Sequence, residues 1–519
     1  MKIKNIYFFV ILAVIFSLLK IDYRFEEIPY GLEVDDAEYY YSAATIGLDY
    51  DLDFSNQMEG IENRFLNKEV KKIVPFHPIG SGLLASPFVF LGNIFQKILN
   101  NDGLISLVYF MYSISPIFYL FMSIILIQYS LNSLEIRFNK YLLLVAILGT
   151  GVSYYSFDRF SMSHIYEFFA TSFLIYLTSK SLEEKGNSKL KYIQFFLGFL
   201  MFFFLTIRWI NYLFFMIPMI VYLIRKISIK NLYTRTTFLS GALLGLVLFL
   251  LHTKYLYGIY TLNQAPILLS IENSFSENYS RFFDTSMFLE NIIFLFDSLR
   301  IIFFSQEFGL FFFAPILFLS FFFVLLSFLD KKYLLSFSLL ILYSIPFMSV
   351  IVTQNTGFSY GYRYLFVLIP INIILYFHLL HRHNIFKNYL YGFSIIGFIL
   401  YLFFETSQAT SLSNDYLTNS FGMNTRYANP TYLAGLFDAL FSLNSYMHIL
   451  FTSFLGVLII KLLNIFVDPI SVFSNFTEIT SDISNLVSDS IKFSWFKLLF
   501  IYLFVIYFVN LIINRKSDL

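Results

Sequence analysis

The stretch that decides how this chain reads is its first: "MKIKNIYFFVILAVIFSLLK", residues 1–20. A basic start and an apolar middle are the layout of a signal peptide, but no small-x-small cleavage site follows. The chain runs straight on into "IDYRFEEIPY". The segment therefore reads as an uncleaved first transmembrane helix. Lys2 and Lys4 put the N-terminus in the cytoplasm by the positive-inside rule, so residues 22–72 lie outside.

The rest of the chain fits that start. Of its 519 residues, 58% are hydrophobic and 13% charged, about half the charged share of a soluble domain. Apolar runs of about 20 residues, each long enough to cross a bilayer, recur from end to end. The fold class is an all-α polytopic membrane protein. A net charge of +1 gives no basic field for nucleic acid. The absence of cysteine excludes disulfides, thiolate metal sites and cysteine nucleophiles. The 69 Phe and 39 Tyr suit lipid-facing and interfacial positions.

Alternating the spans by charge puts "LEIRFNK", "KSLEEKGNSKLK", "RKISIKNLYTR", "DKK" and "HRHNIFK" inside. "DRFSMSH", "TQNTGFSYGYR" and "ETSQATSLSNDYLTNSFGMNTRYANP" fall outside. The run "HPIGSGLLASPFVFLGNIF", interrupted by Pro78, Gly80, Gly82, Pro87 and Gly92, reads as an interfacial or re-entrant segment. The expected spans are 104–130, 142–157, 165–178, 195–207, 212–224, 238–256, 309–329, 334–352, 364–380 and 389–404. Two more, near 447–466 and 495–513, leave "NRKSDL" outside, against the charge rule. The total is about 11–13 transmembrane helices, with an outer first loop, about 21–103, that carries interfacial helices. No internal repeat and no soluble domain stand out.

Five constellations gather on the outer side. In "DDAEYYYSAA" a helix would stack Asp35, Tyr39 and Ser42 on one stripe and Asp36 and Tyr40 on the next. Two acids in a first turn suit the helix dipole. The plain alternative is an interfacial helix with acids to water and tyrosines to headgroups. His77-Pro78 opens the Gly/Pro-rich run and reads as a turn or as a floor beneath that helix. "SFDRFSMSHIYEFF" sets Asp158, Arg159, His164 and Glu167 at a helix–helix turn, and Glu167 stands just inside a span, where an ionisable group points to function. Arg208 and Arg363 end spans on the side where cations are disfavoured, so each predicts an anion nearby, either a carboxylate or a phosphate. Lys254 and Arg300 are weaker cases of the same kind. Gln306 and Glu307 lie at the outer mouth of another span. Carboxylates suit deprotonation of an acceptor hydroxyl, and arginines suit a phosphate leaving group.

In these motifs the sequence resembles the membrane glycosyltransferases of the C-type fold, which include protein O-mannosyltransferases and lipid A aminoarabinose transferases. Asp35-Asp36-Ala37-Glu38-Tyr39 matches their Asp-Asp/Glu-x-x-Tyr motif after the first span. "YDLDFSNQ" and "HPIGSGLLASPFVFLG" follow in the family's order, with Ile79 in place of a second proline. "RFSMSHIYEFF", "SQEFGLFFFAPIL" and "YGYRYL" are similar to its later outer-loop positions. The resemblance implies a polyprenyl-phosphate-linked sugar donor and an inverting hexosyl or pentosyl transfer on the outer face of the cytoplasmic (inner) membrane. The acceptor would be a protein, a lipid or a glycan of the cell envelope. It implies Asp35 as general base and Asp36 as its support. Tyr39, His77, Asp158, His164, Glu167, Arg208, Gln306, Glu307 and Arg363 are the substrate-binding candidates, the two arginines on the donor phosphate. Some members bind a divalent cation through such acids and others use none, so the resemblance leaves metal open.

On this reading residues 1–404 form the transmembrane catalytic region. Residues 405–519 carry a further outer loop and the last spans, and match nothing in the resemblance. Two other readings stand beside it. A lipid-linked polysaccharide polymerase or ligase would concentrate its key residues in a large late outer loop. A transporter or flippase would show mid-membrane charges and related halves, whereas here the charges cluster at the outer rim.

Overall fold

The computed structural model describes residues 35–57, 66–67, 71–99, 107–157, 159–183, 188–208, 211–227, 235–262, 288–304, 309–353, 362–381 and 383–416. The expected first helix and the spans near 447–466 and 495–513 lie outside the described residues, as do Asp158, Gln306 and Glu307. What is described is mostly helical, with a single two-residue antiparallel pairing among the described residues, Leu66–Asn67 with Lys72–Ile73 (β1 and β2).

In chain order, α1 (Asp35–Ala44) runs into a π-helical turn, Thr45–Asp49. After the short hairpin come α2 (Gly80–Ile98), α3 (Leu107–Ser133), α4 (Lys140–Leu148), α5 (Val152–Phe157), α6 (His164–Glu183) and α7 (Ser188–Phe203). Then follow α8 (Met216–Ile224), α9 (Thr236–Tyr257), α10 (Phe288–Phe304), α11 (Leu310–Phe313), α12 (Pro315–Phe318), α13 (Ser320–Leu329), α14 (Tyr333–Thr353), α15 (Ile369–Leu375) and α16 (Asn384–Tyr416).

Among the described residues four helical segments are long and apolar enough to cross a membrane: Leu107–Ser133, Lys189–Thr206, Thr236–Tyr257 and Arg363–Leu380. Shorter apolar helices cover Asn211–Ile224, Pro315–Leu329 and Tyr333–Met348. Burial separates their places. The Arg363–Leu380 segment is 83% buried and is central, whereas Thr236–Tyr257 is 28% buried and forms an outer wall. The exposed Leu243, Leu248 and Leu251 of that wall are ordinary for a helix facing lipid.

Small residues let the helices touch. A Cβ on Gly82 would stand 2.5 Å from the Ser42 Cβ, so α1 lies on α2 at backbone distance. Gly241 and Gly245, one turn apart on α9, meet the backbone of Phe195 and Phe199 on α7, the small-xxx-small contact of membrane helices. In the second half, Asn372 donates to the Ile316 carbonyl (3.1 Å) and Ser320 Oγ (2.9 Å) and accepts from Tyr343 Oη (2.6 Å). One buried amide thus ties α15 to α12, α13 and α14.

Three segments differ from the sequence reading. The Gly/Pro-rich run is not broken; α2 passes through Pro87 as one helix, because a proline removes one intrahelical hydrogen bond and packing on α1 and α3 covers the loss. The expected span 142–157 is two helices, α4 and α5, parted at Gly149–Gly151. There Gly149 sits against the Ser394 backbone, where a side chain would not fit. The expected span 309–329 is three short helices, parted at Ala314 and Leu319. Pro315 lacks the N–H that would continue the first of them.

Candidate functional site

α1 is helical from Asp35, as the spacing predicts, and its two acids do fall in the first turn. Its surroundings do not match an interfacial helix. Asp36, Glu38, Tyr39, Tyr40 and Tyr41 are all buried, so no face of the helix from Asp36 onward meets water or headgroups. Tyr40 stacks on Tyr109 at 4.6 Å and meets Tyr112 edge-on at 5.1 Å, which packs α1 on α3.

A buried carboxylate needs a partner, and each described acid of α1 has one. Asp36 Oδ2 accepts from Arg159 Nε (2.9 Å) and Nη2 (2.6 Å), from the turn between α5 and α6. Burial works against the Arg159 charge, but the Asp36 carboxylate outweighs it and raises the guanidinium pKa above its usual value. Asp36 is therefore held in a charge-assisted pair, with two guanidinium nitrogens on one carboxylate oxygen. It fixes the start of α1, next to Asp35. Glu38 Oε2 accepts from the backbone N–H of Phe76 (2.9 Å) and His77 (3.1 Å) and pairs with His77 Nδ1 (3.0 Å). One buried acid thereby pins the loop before α2 onto α1. His77 is the floor that the sequence reading allowed, and its ring meets Tyr39 at 5.1 Å.

A second group lies at the same end of the helices. Glu167, in the first turn of α6, is 1% exposed. Its Oε1 accepts from Asn211 Nδ2 (3.0 Å) and its Oε2 from Arg208 Nη1 (3.3 Å). His164 Nδ1 lies 3.0 Å from the same Oε2 and 3.2 Å from Arg208 Nη1. A single Nδ1 either donates to the carboxylate or accepts from the guanidinium. Donation to Glu167 fits better, because it adds to the compensation of a buried anion. Arg208 thus has the carboxylate partner that was one of its two expected anions.

Arg208 also lies over the Tyr364 ring at 4.3 Å, and Arg363 lies 5.2 Å from the same ring centroid. Arg363 Nη2 is 3.3 Å from the Tyr364 hydroxyl. Two guanidinium groups thus share one aromatic ring, with a buried carboxylate and an imidazole beside them. Tyr39 of α1 lies within electrostatic range of Arg208.

The structure therefore brings together Asp36, Tyr39, His77, His164, Glu167, Arg208 and Arg363. Asp35 opens α1; its side chain is outside what is described. The weaker cations are local: Lys254 Nζ caps the Gly258 carbonyl at 2.6 Å, and Arg300 pairs with Asp297 at 2.7 Å. Among the described residues no three His, Asp or Glu side chains converge as metal ligands. Sequence reasoning left Glu38, Arg159, Asn211 and Tyr364 out of the site residues. Arg159 stood in the constellation with Asp158, Glu38 inside the Asp35–Tyr39 motif and Tyr364 beside Arg363 in "YGYRYL"; Asn211 carried no such signal.

The opposite end of the helices carries exposed or partly exposed pairs, Arg225 with Glu135 (3.1 Å) and Lys332 with Asp330 (3.1 Å). Among the described residues the buried ion pairs are thus gathered at the site end, and the pairs at the opposite end are solvated. No family model, curated protein or solved structure matches this chain.

Proposed function

We propose that this chain is a multi-pass glycosyltransferase of the C-type fold. It would move a sugar from a polyprenyl-phosphate donor to an acceptor hydroxyl outside the cytoplasmic membrane, with inversion. The observation that supports this most is the pair of guanidinium groups of Arg208 and Arg363 on the Tyr364 ring. Two guanidiniums side by side repel each other, and an anion that binds both relieves the repulsion. A phosphate matches their forked donors.

In the reaction, the Asp35 carboxylate takes the acceptor proton. The acceptor oxygen bonds to C1 of the sugar as the C1–O bond to phosphate breaks. The leaving polyprenyl phosphate carries the negative charge to Arg208 and Arg363. Asp36 holds the start of α1 through Arg159, and His77 is positioned by Glu38.

The test uses the full chain in lipid nanodiscs with a panel of polyprenyl-phosphate-linked sugars, following released polyprenyl phosphate. Asp35→Asn is expected to lower transfer by about 10²–10⁴-fold, the usual contribution of a general base, while insertion and helix content are unchanged. Normal transfer by that variant would overturn the role of Asp35. A polymerase or ligase would instead lose activity through substitutions across residues 405–446.

A further inference from the structure

A groove of about 740 Å³ runs down the outer wall between α7 and α9, beneath the π-helical turn after α1. Its depth is apolar, lined by Phe199, Phe203, Leu248 and Phe249. Its rim carries Tyr50, Asp51 and Tyr255. The groove lies on the lipid-facing side, since Leu248, Leu251 and Tyr255 are each about half exposed. Its size is that of a small-molecule site.

One group in it does not belong in an apolar wall. His252 lines the groove, and both its ring nitrogens are buried with no hydrogen-bond partner among the described residues. Its ring neighbours are Phe249 and Tyr257, at 6.1 and 6.3 Å. A buried donor without an acceptor is costly, and a charged imidazole inside a bilayer costs more. A neutral imidazole that donates to a ligand acceptor resolves both.

The depth and the rim narrow the ligand. His252 precedes Gly258, where α9 ends, by about 9 Å of helix axis. That is just beyond the thickness of one interfacial layer, about 5–8 Å, so with the end of α9 at the headgroup surface the ring would lie at the level of the lipid ester carbonyls. At the rim, Asp51 offers an anion, and Lys72 Nζ lies 3.6 Å from the Tyr255 ring centroid and offers a cation. A headgroup with both a phosphate and an ammonium complements that pair. An isoprenoid chain has no acceptor along its length and would leave His252 as it is.

We propose that this groove binds one glycerophospholipid with an ethanolamine-type headgroup, an acyl chain lying along α7 and α9 and His252 donating to an ester carbonyl. The site is independent of the transferase reading and stands or falls separately from it.

The test is native mass spectrometry of the full chain in detergent, titrated with phosphatidylethanolamine, phosphatidylglycerol or a polyprenyl phosphate. The wild type is expected to retain one phosphatidylethanolamine. His252→Leu should lower its occupancy about three- to tenfold, the worth of one hydrogen bond, with unchanged circular dichroism. Asp51→Asn should remove the preference over phosphatidylglycerol. His252→Gln keeps a donor and should restore retention, which also covers the case in which the leucine variant fails to fold. Equal retention by His252→Leu, loss of retention in His252→Gln, preferred retention of the polyprenyl phosphate, or no retained lipid would each overturn the proposal.

Discussion

Asp36 and Arg159 show how much one buried pair decides. Asp36 is 1% exposed and Arg159 7%, so neither charge can be left alone. Removing one partner of such a pair costs about 3–5 kcal/mol, because the other stays buried and uncompensated. Arg159→Met is therefore expected to lower stability by about that amount, read as a fall in the thermal midpoint in detergent. Asp36→Asn combined with Arg159→Met should recover a good part of the loss; if the double variant is no better than the single one, the pair is not what holds α1. Arg208 is a different case. Its role rests on a planar group that can stack on Tyr364 and reach Glu167 together, and lysine offers only a point charge. Under the proposed reaction, Arg208→Lys should raise KM for the lipid-linked donor about tenfold, with less effect on stability than Arg208→Ala. An unchanged donor KM would count against a phosphate contact. The sequence singled out Asp36 and Arg208 by motif and by position at a span end. It did not reveal which partner each takes, because Arg159 is 123 residues from Asp36 and Glu167 is 41 from Arg208.

Among the elements, α1 and α2 act as one unit. Their backbones meet at Gly82 and Ser42, and Glu38 stitches the intervening loop down at Phe76 and His77. Gly82→Ala would bring a Cβ to 2.5 Å from the Ser42 Cβ. Overpacking of this kind costs about 1–3 kcal/mol, and here the relief is a shift of α1 away from α2. The expected outcome is a lower thermal midpoint together with loosened protection of the Phe76 and His77 amides in hydrogen exchange. Unchanged exchange would show that the two helices can separate without disturbing the loop. The helical state of α1 was legible from its spacing, but its burial was not. Alternating acids and tyrosines suit an interface as well as a core, and only the partners on α3, on the α5–α6 turn and on the loop before α2 tell the two apart. The Gly/Pro-rich stretch misled for a related reason. Glycine and proline weaken an isolated helix, whereas in α2 the glycines are contact points for neighbouring backbone.

For the whole molecule, the buried ion pairs among the described residues lie at one end of the helices, which the alternating basic loops predict to be the outer one. The native chain has no cysteine, so single cysteines report topology without a prior clean-up. Tyr50 and Tyr333 are 67% and 57% exposed and belong to opposite ends. Tyr50→Cys is expected to react with a membrane-impermeant maleimide on intact cells, and Tyr333→Cys only after the membrane is opened. Labelling of both from the same side would overturn the alternation and with it the outer position of the site.

Membrane character and helix periods were determined by the sequence alone, and the expected sidedness of the basic loops rests on the sequence alone. Hydropathy over about 20 residues and local charge are sums over neighbouring residues, and a bilayer leaves few other ways to satisfy them. The division of the charged residues was decided only by the tertiary structure. Asp36 goes to Arg159, Glu38 to the loop of His77, Glu167 to Arg208 and Asn211, and Arg208 and Arg363 come to one tyrosine ring. Each of these depends on which helix faces which at contacts of a few ångströms, and no local property of the chain encodes that.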